Sequence, residues 1–168
     1  MSSNVFQFVS GIIQIANNPG LPVYFPVNTL QPLPVNKFPV RVLVENTAGG
    51  ENACARTLDR IALLWDAIGE YDVGLCLDTC HAWAAGEDLE TLVERVRAIT
   101  GRVDLVHANS SRDPHDSARD RHAGFATGTI PPELIAHVVR EAGCDAIVET
   151  PAETQADDIA FLKAALAG

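Results

Sequence analysis

From Val40 onward the apolar positions follow two periods in turn, and this sorts the chain into short strands and longer helices. The runs "VRVLVE" (40–45), "DVGLCLD" (72–78), "VDLVHA" (103–108) and "CDAIVET" (144–150) are brief and rich in Val, Leu and Ile, the composition of strands buried on both faces. Helical patterns lie between them. "ARTLDRIALLWDAIG" (55–69) puts Leu58, Ile61, Leu64 and Trp65 on one stripe, and "DLETLVERVRAIT" (88–100) starts on Asp88, a suitable N-cap. "PPELIAHVVREAG" (131–143) opens with prolines and closes on glycine, and "QADDIAFLKAALA" (155–167) follows. The order βαβαβαβα predicts an α/β fold with a parallel sheet and right-handed crossovers.

The first 40 residues break this rhythm. Six prolines fall between Asn17 and Val40, each removing a ladder donor and restricting the residue before it. An irregular N-terminal segment over residues 1–40, with a short strand or helix near Val5–Ile15, and an α/β unit over 41–168 are the expected division.

Candidate chemistry sits at the ends of the strands. Each strand-like run delivers one group able to bind a metal: Glu45, Asp78, His107 and Glu149. In parallel α/β architectures the carboxyl ends of all strands share one face, where sites are built. His81 follows Asp78 by three residues, and the loop after His107 carries "RDRH", with Asp120 and His122 two apart and pointing the same way if the loop is extended. A lone acid at a strand end is more often a helix cap or an ion-pair partner, but seven such groups on one face are hard to explain as seven caps. Mixed imidazole and carboxylate donors suit zinc or manganese better than calcium or magnesium. His115 and His137 read as surface or helix residues, and Trp83 as packing.

Charge and cysteines narrow the function. A formal charge of −10 excludes nucleic-acid binding through a diffuse basic surface, so any phosphate partner needs a local positive source, which clustered divalent cations provide. Cys54, Cys76, Cys80 and Cys144 contain no C-x-x-C pair and read as small buried hydrophobes in a reducing compartment. The first basic residue is Lys37, so an export signal with a charged leading region is not expected, nor is a membrane span; the expected location is cytoplasmic.

The motifs "VENTAGG", "CLDTCHAWAAG", "VHANSSRD", "RDRHAG" and "IVETPAE", in this order and spacing, resemble the carboxyl-terminal half of the endonuclease IV family of apurinic/apyrimidinic endonucleases. The resemblance covers about residues 40–168. It implies part of a TIM barrel, about four of its βα units, and a zinc cluster of three ions, with manganese as a substitute. It further implies a hydrolase that repairs double-stranded DNA by cutting the backbone 5′ to an abasic site. Glu45 would bridge two metals and Asp78, His107 and Glu149 would complete the shell of one; His81, Asp120 and His122 would hold another. Glu45 and Glu149 carry the implied catalytic role, and Arg112, Arg119 and Arg121 are implied contacts to the DNA backbone.

Departures from the family are equally legible. Its amino-terminal half supplies two further histidine ligands, whereas no histidine precedes His81 here, so two metal sites are complete from the sequence and one lacks its partners. Ser110 stands where the family usually has an aspartate. Four strands also leave two sheet edges, which predicts self-association through the open half-barrel. Two other readings stay open: a one-metal sugar isomerase or epimerase of the same barrel superfamily, and a metal-binding remnant without turnover.

Overall fold

The computed structural model describes residues 13–14, 41–50 and 53–167. The expected irregular segment at 1–40 therefore lies outside the described residues, apart from Ile13–Gln14 (β1), which pairs antiparallel with β2. Four parallel strands form the sheet: β2 (Leu43–Glu45), β3 (Gly74–Asp78), β4 (Leu105–His107) and β7 (Asp145–Ile147), neighbours in that order. Helices α1 (Leu58–Ile68), α3 (Leu92–Thr100), α4 (Pro132–Ala142) and α5 (Gln155–Leu166) follow them in the chain. This is the sequential order of a barrel wall, here open.

Register assigns the two faces of the sheet different tasks. Val44 pairs with Leu75 and Leu77 with Val106, and these side chains belong to one face. Leu75, Leu77 and Val106 are at most 1% exposed and pack with Ile61, Val96, Ile135, Val138 and Leu162 from the helices in the main core. On the other face Glu45 pairs with Cys76, and Asp78 with His107. Helix ends agree with the sequence: α4 begins on Pro132, and α3 and α4 stop at Gly101 (φ 74°) and Gly143 (φ 57°), left-handed positions that glycine fills without strain.

The structure corrects several expectations. Asp88 does not cap α3; its carboxylate accepts from the Glu90 N–H and the Thr91 hydroxyl, holding a separate turn before the helix starts at Leu92. A six-residue helix, α2 (Thr79–Ala84), and a short antiparallel ladder of β5 (Ser110–Ser111) with β6 (His122–Ala123) appear in stretches read as loop. β7 is exposed along its length rather than buried on both faces, with Ile147 at 48% exposure. It pairs with β4 on one side and with no strand among the described residues on the other, so composition suited to a central strand ends up at an edge. Cys76 and Cys80 are buried as expected, while Cys54 is exposed. No helix among the described residues is long and apolar enough to cross a membrane.

Leu75 lies fully buried between sheet and helices. Leu75→Ala is expected to destabilise the chain by about 3 kcal/mol in urea unfolding, through lost transfer energy and the cavity left behind; a cost under about 1 kcal/mol would contradict this core.

Candidate metal centre

All seven candidate side chains meet at the carboxyl end of the sheet. Glu45, Asp78, His81 and His107 are each 6% exposed or less, which for acidic and basic groups beside one another demands partners. The seven fall into two adjoining groups. The ligand atoms offered by Glu45, Asp78, His107 and Glu149 lie within 4.8 Å of one another, and so do those of His81, Asp120 and His122.

In the first group His107 Nδ1 lies 3.0 Å from Glu45 Oε1 and 3.1 Å from Glu149 Oε2. In the second, Asp120 offers Oδ2 to His81 Nε2 at 3.2 Å and Oδ1 to His122 Nε2 at 3.3 Å. Asp78 joins the two: its Oδ2 is 3.7 Å from His122 Nε2. The ordinary role of an acid at a strand end is also present, because Asp78 Oδ1 accepts from the His81 N–H and caps α2. One carboxylate thus starts the helix with one oxygen and faces the site with the other.

The imidazoles are oriented from behind. His81 Nδ1 bonds the Asn46 carbonyl at 2.8 Å, and His122 Nδ1 bonds the Glu149 carbonyl at 3.3 Å. A carbonyl can only accept, so Nδ1 carries a hydrogen and each Nε2 is the nitrogen turned inward. Those two Nε2 atoms are buried and make no hydrogen bond, although Asp120 oxygens lie close by. Buried imidazole nitrogens turned to a shared carboxylate, with their far nitrogens fixed, fit a borderline divalent cation that replaces their inward protons.

Asparagines, missed in the sequence reading, hold the acids. Asn46 accepts from the Asp78 N–H at 2.7 Å and donates to the Asp78 carbonyl at 3.0 Å. Asn109 donates to Asp78 Oδ2 at 2.8 Å and accepts from the Glu149 N–H at 2.9 Å. Their positions directly after Glu45 and two after His107 were the available signal. Ser110 serves a different purpose, its hydroxyl bonding both the N–H and carbonyl of Ile130. Cys76 also borders the first group and Cys80 the second. Burial pushes their thiols up to about 11 and about 12, so both are neutral at pH 7.

Other candidates fall elsewhere. His115 packs edge-on to Trp83 and bonds the Glu87 carbonyl, and His137 bonds the Glu90 carbonyl. Arg112, Arg119 and Arg121 lie beside the site, but their guanidiniums turn to protein groups: Arg112 to the His122 carbonyl, Arg119 and Arg121 to Asp113. The two ligand-bearing loops touch at Gly49, where a Cβ would come within 2.2 Å of the Ala118 carbonyl oxygen.

The acids set the proton affinity of the imidazoles. Burial alone would lower His81, but Asp78, Asp120 and Glu45 outweigh it and push it up to about 10. Burial likewise opposes His107, which hydrogen bonding with Cys76, Glu149 and Glu45 pushes up to about 12. In return, His122 and His81 hold Asp120 well below the usual carboxylate range, and His107 holds Glu149 below it.

Comparison with known proteins matches this architecture. The family model described as "Xylose isomerase-like TIM barrel" matches residues 27–165, beginning inside the proline-rich stretch and ahead of the boundary drawn at residue 40. The chain belongs to that family of barrel proteins. It is 58% identical over 124 residues to "Probable endonuclease 4" of Mycobacterium ulcerans (74% of this chain, 49% of that protein). The same-named protein of Mycobacterium leprae is 56% identical over 129 residues, covering 77% and 51%. The crystal structure of endonuclease IV from Thermus thermophilus matches with TM-score 0.65 at 33% identity, covering 74% of this chain and 49% of that one. The chain spans about half the length of the curated relatives it matches.

Imidazoles whose affinity for protons is raised are protonated at neutral pH and must give those protons up to coordinate a cation. Calorimetry of zinc addition at pH 7 in buffers of different ionisation enthalpy should therefore show net proton release. Binding without proton release would mean that the imidazoles take no part.

Proposed function

We propose that this chain forms the metal-holding half of a zinc-dependent DNA repair endonuclease that cuts the phosphodiester 5′ to abasic sites. The single observation that supports it best is the pair of buried Nε2 atoms of His81 and His122 that face one carboxylate, Asp120. A one-metal sugar isomerase needs only the first group and leaves these three residues without a task.

Glu45, Asp78, His107 and Glu149 would hold one cation and His81, Asp120 and His122 another. Bound there, zinc or manganese supplies Lewis acidity toward a phosphate oxygen and a nucleophile from water at neutral pH. The protein's part is positioning. Asn46 and Asn109 fix the backbone and one oxygen of Asp78, and Asn109 also ties down the Glu149 backbone. Glu149, with its side chain 41% exposed, stands at the mouth where a DNA backbone can reach it. Docking phosphate on cations reconciles a DNA substrate with a chain of net charge −10. The exposed β7 edge supports self-association through the open side of the sheet.

Elemental analysis of zinc-saturated protein should find about two ions per chain, one for each group of converging ligands. A duplex carrying one tetrahydrofuran abasic analogue should be nicked on its 5′ side, at least about a hundredfold faster than by Glu149→Gln. Zinc retention with no nicking above that variant would refute the activity and leave a metal-binding remnant. Sedimentation should show self-association that Ile147→Lys reduces, by placing a charge on the open edge.

A further inference from the structure

The arginines flanking Asp120 share one acceptor. Arg121 donates from Nε to Asp113 Oδ2 at 2.6 Å and from Nη2 to Oδ1, and Arg119 Nη1 lies 3.5 Å from the same Oδ1. The Asp113 side chain is 5% exposed, whereas those of Arg119 and Arg121 are 67% and 52% exposed. A buried carboxylate gripping a guanidinium through both oxygens is among the strongest and most directional of polar contacts.

Its position gives that grip a consequence. Successive side chains of an extended segment project to opposite sides. Arg119 and Arg121 are drawn to Asp113 on one side, and Asp120, between them, turns to the other, where it meets His81 and His122. Asp113 is itself fixed: its N–H bonds the Ser111 hydroxyl, and its carbonyl accepts from Trp83 Nε1 at 3.3 Å and the Thr129 hydroxyl at 2.5 Å. Between Asp113 and Arg119 the chain passes through two left-handed residues, Asp116 (φ 59°) and Ala118 (φ 56°). Alanine rarely adopts that conformation unheld, and here the N–H groups of Asp116 and Ala118 bond the carbonyls of Trp83 and Ala84 at 3.0 and 2.8 Å. The loop is thus braced against α2 at one end and against Asp113 at the other.

We infer that Asp113 is a positioning residue for the His81–Asp120–His122 metal group, acting through Arg121 and Arg119 to aim Asp120 before a cation binds. The inference rests on the metal reading above and assigns Arg121 to preorganisation, where the sequence had suggested a DNA contact.

Competition titrations with a chromophoric chelator test it on the full chain, using zinc alone, with Asp120→Ala marking which binding step belongs to this group. Asp113→Asn and Arg121→Gln should each weaken that step roughly tenfold, as loss of an outer support to a ligand does, and leave the other step unchanged. The double variant should be no weaker than Asp113→Asn alone. Should Asp113→Asn fail to fold, Arg121→Gln keeps the test, since Arg121 is half exposed and its loss leaves Asp113 paired with Arg119. Wild-type zinc affinity in Arg121→Gln, with binding to an abasic duplex reduced, would overturn the inference and return Arg121 to the DNA. Equal weakening of both steps would overturn it as a general loosening. A wild-type chain that binds no zinc would overturn the metal reading and this inference together.

Discussion

Carboxylates crowded at one rim repel one another unless positive charge is shared among them, and most of the local structure around the strand ends answers that requirement. Glu45, Asp78, Asp120 and Glu149 are each within 4 Å of an imidazole nitrogen. Protons on His81 and His107 meet part of the demand, and the proposed divalent cations would meet more of it with the same atoms. The same requirement accounts for the asparagines: an amide can support a carboxylate or its backbone without adding charge, which lysine or a further acid in that place would do.

The scaffold keeps this crowded rim apart from the forces that hold the sheet together. At the amino ends of the strands, Arg102 bonds Asp104 through Nε at 2.8 Å, and Asp104 also accepts from the Leu75 N–H. Behind the rim, the buried Asp158 of α5 accepts from the Phe125 N–H and the Thr150 hydroxyl, linking a helix to the segments on either side of the site. Neither contact touches a candidate ligand. Asp78 is different, since it both caps α2 and faces the candidate site.

How much of this could be read from the letters depends on how local the determinant was. Strand and helix periods, and the prolines that open and the glycine that closes α4, are short-range signals, and the elements stand where they indicated. Convergence of the seven side chains was legible because parallel strands bring their ends to one face, so a list of strand-end residues becomes a statement about space. What escaped depends on partners distant in sequence. The exposure of β7 follows from what does not lie beside it, the capping bonds of Asp88 stop short of the helix, and two of the arginines pair with Asp113, six and eight residues upstream. Asn46 and Asn109 looked like ordinary polar residues beside conspicuous acids, and only the contacts of Asp78 reveal their use.

Gly49 and Ala118 meet with no room for even a methyl group between them. One belongs to the loop leaving Glu45 and the other to the loop that delivers Asp120. Because main chain rests directly on main chain, a displacement of either loop is transmitted to the other with little slack. The two halves of the candidate site therefore behave mechanically as one jaw, and a change that enlarges residue 49 would open both together.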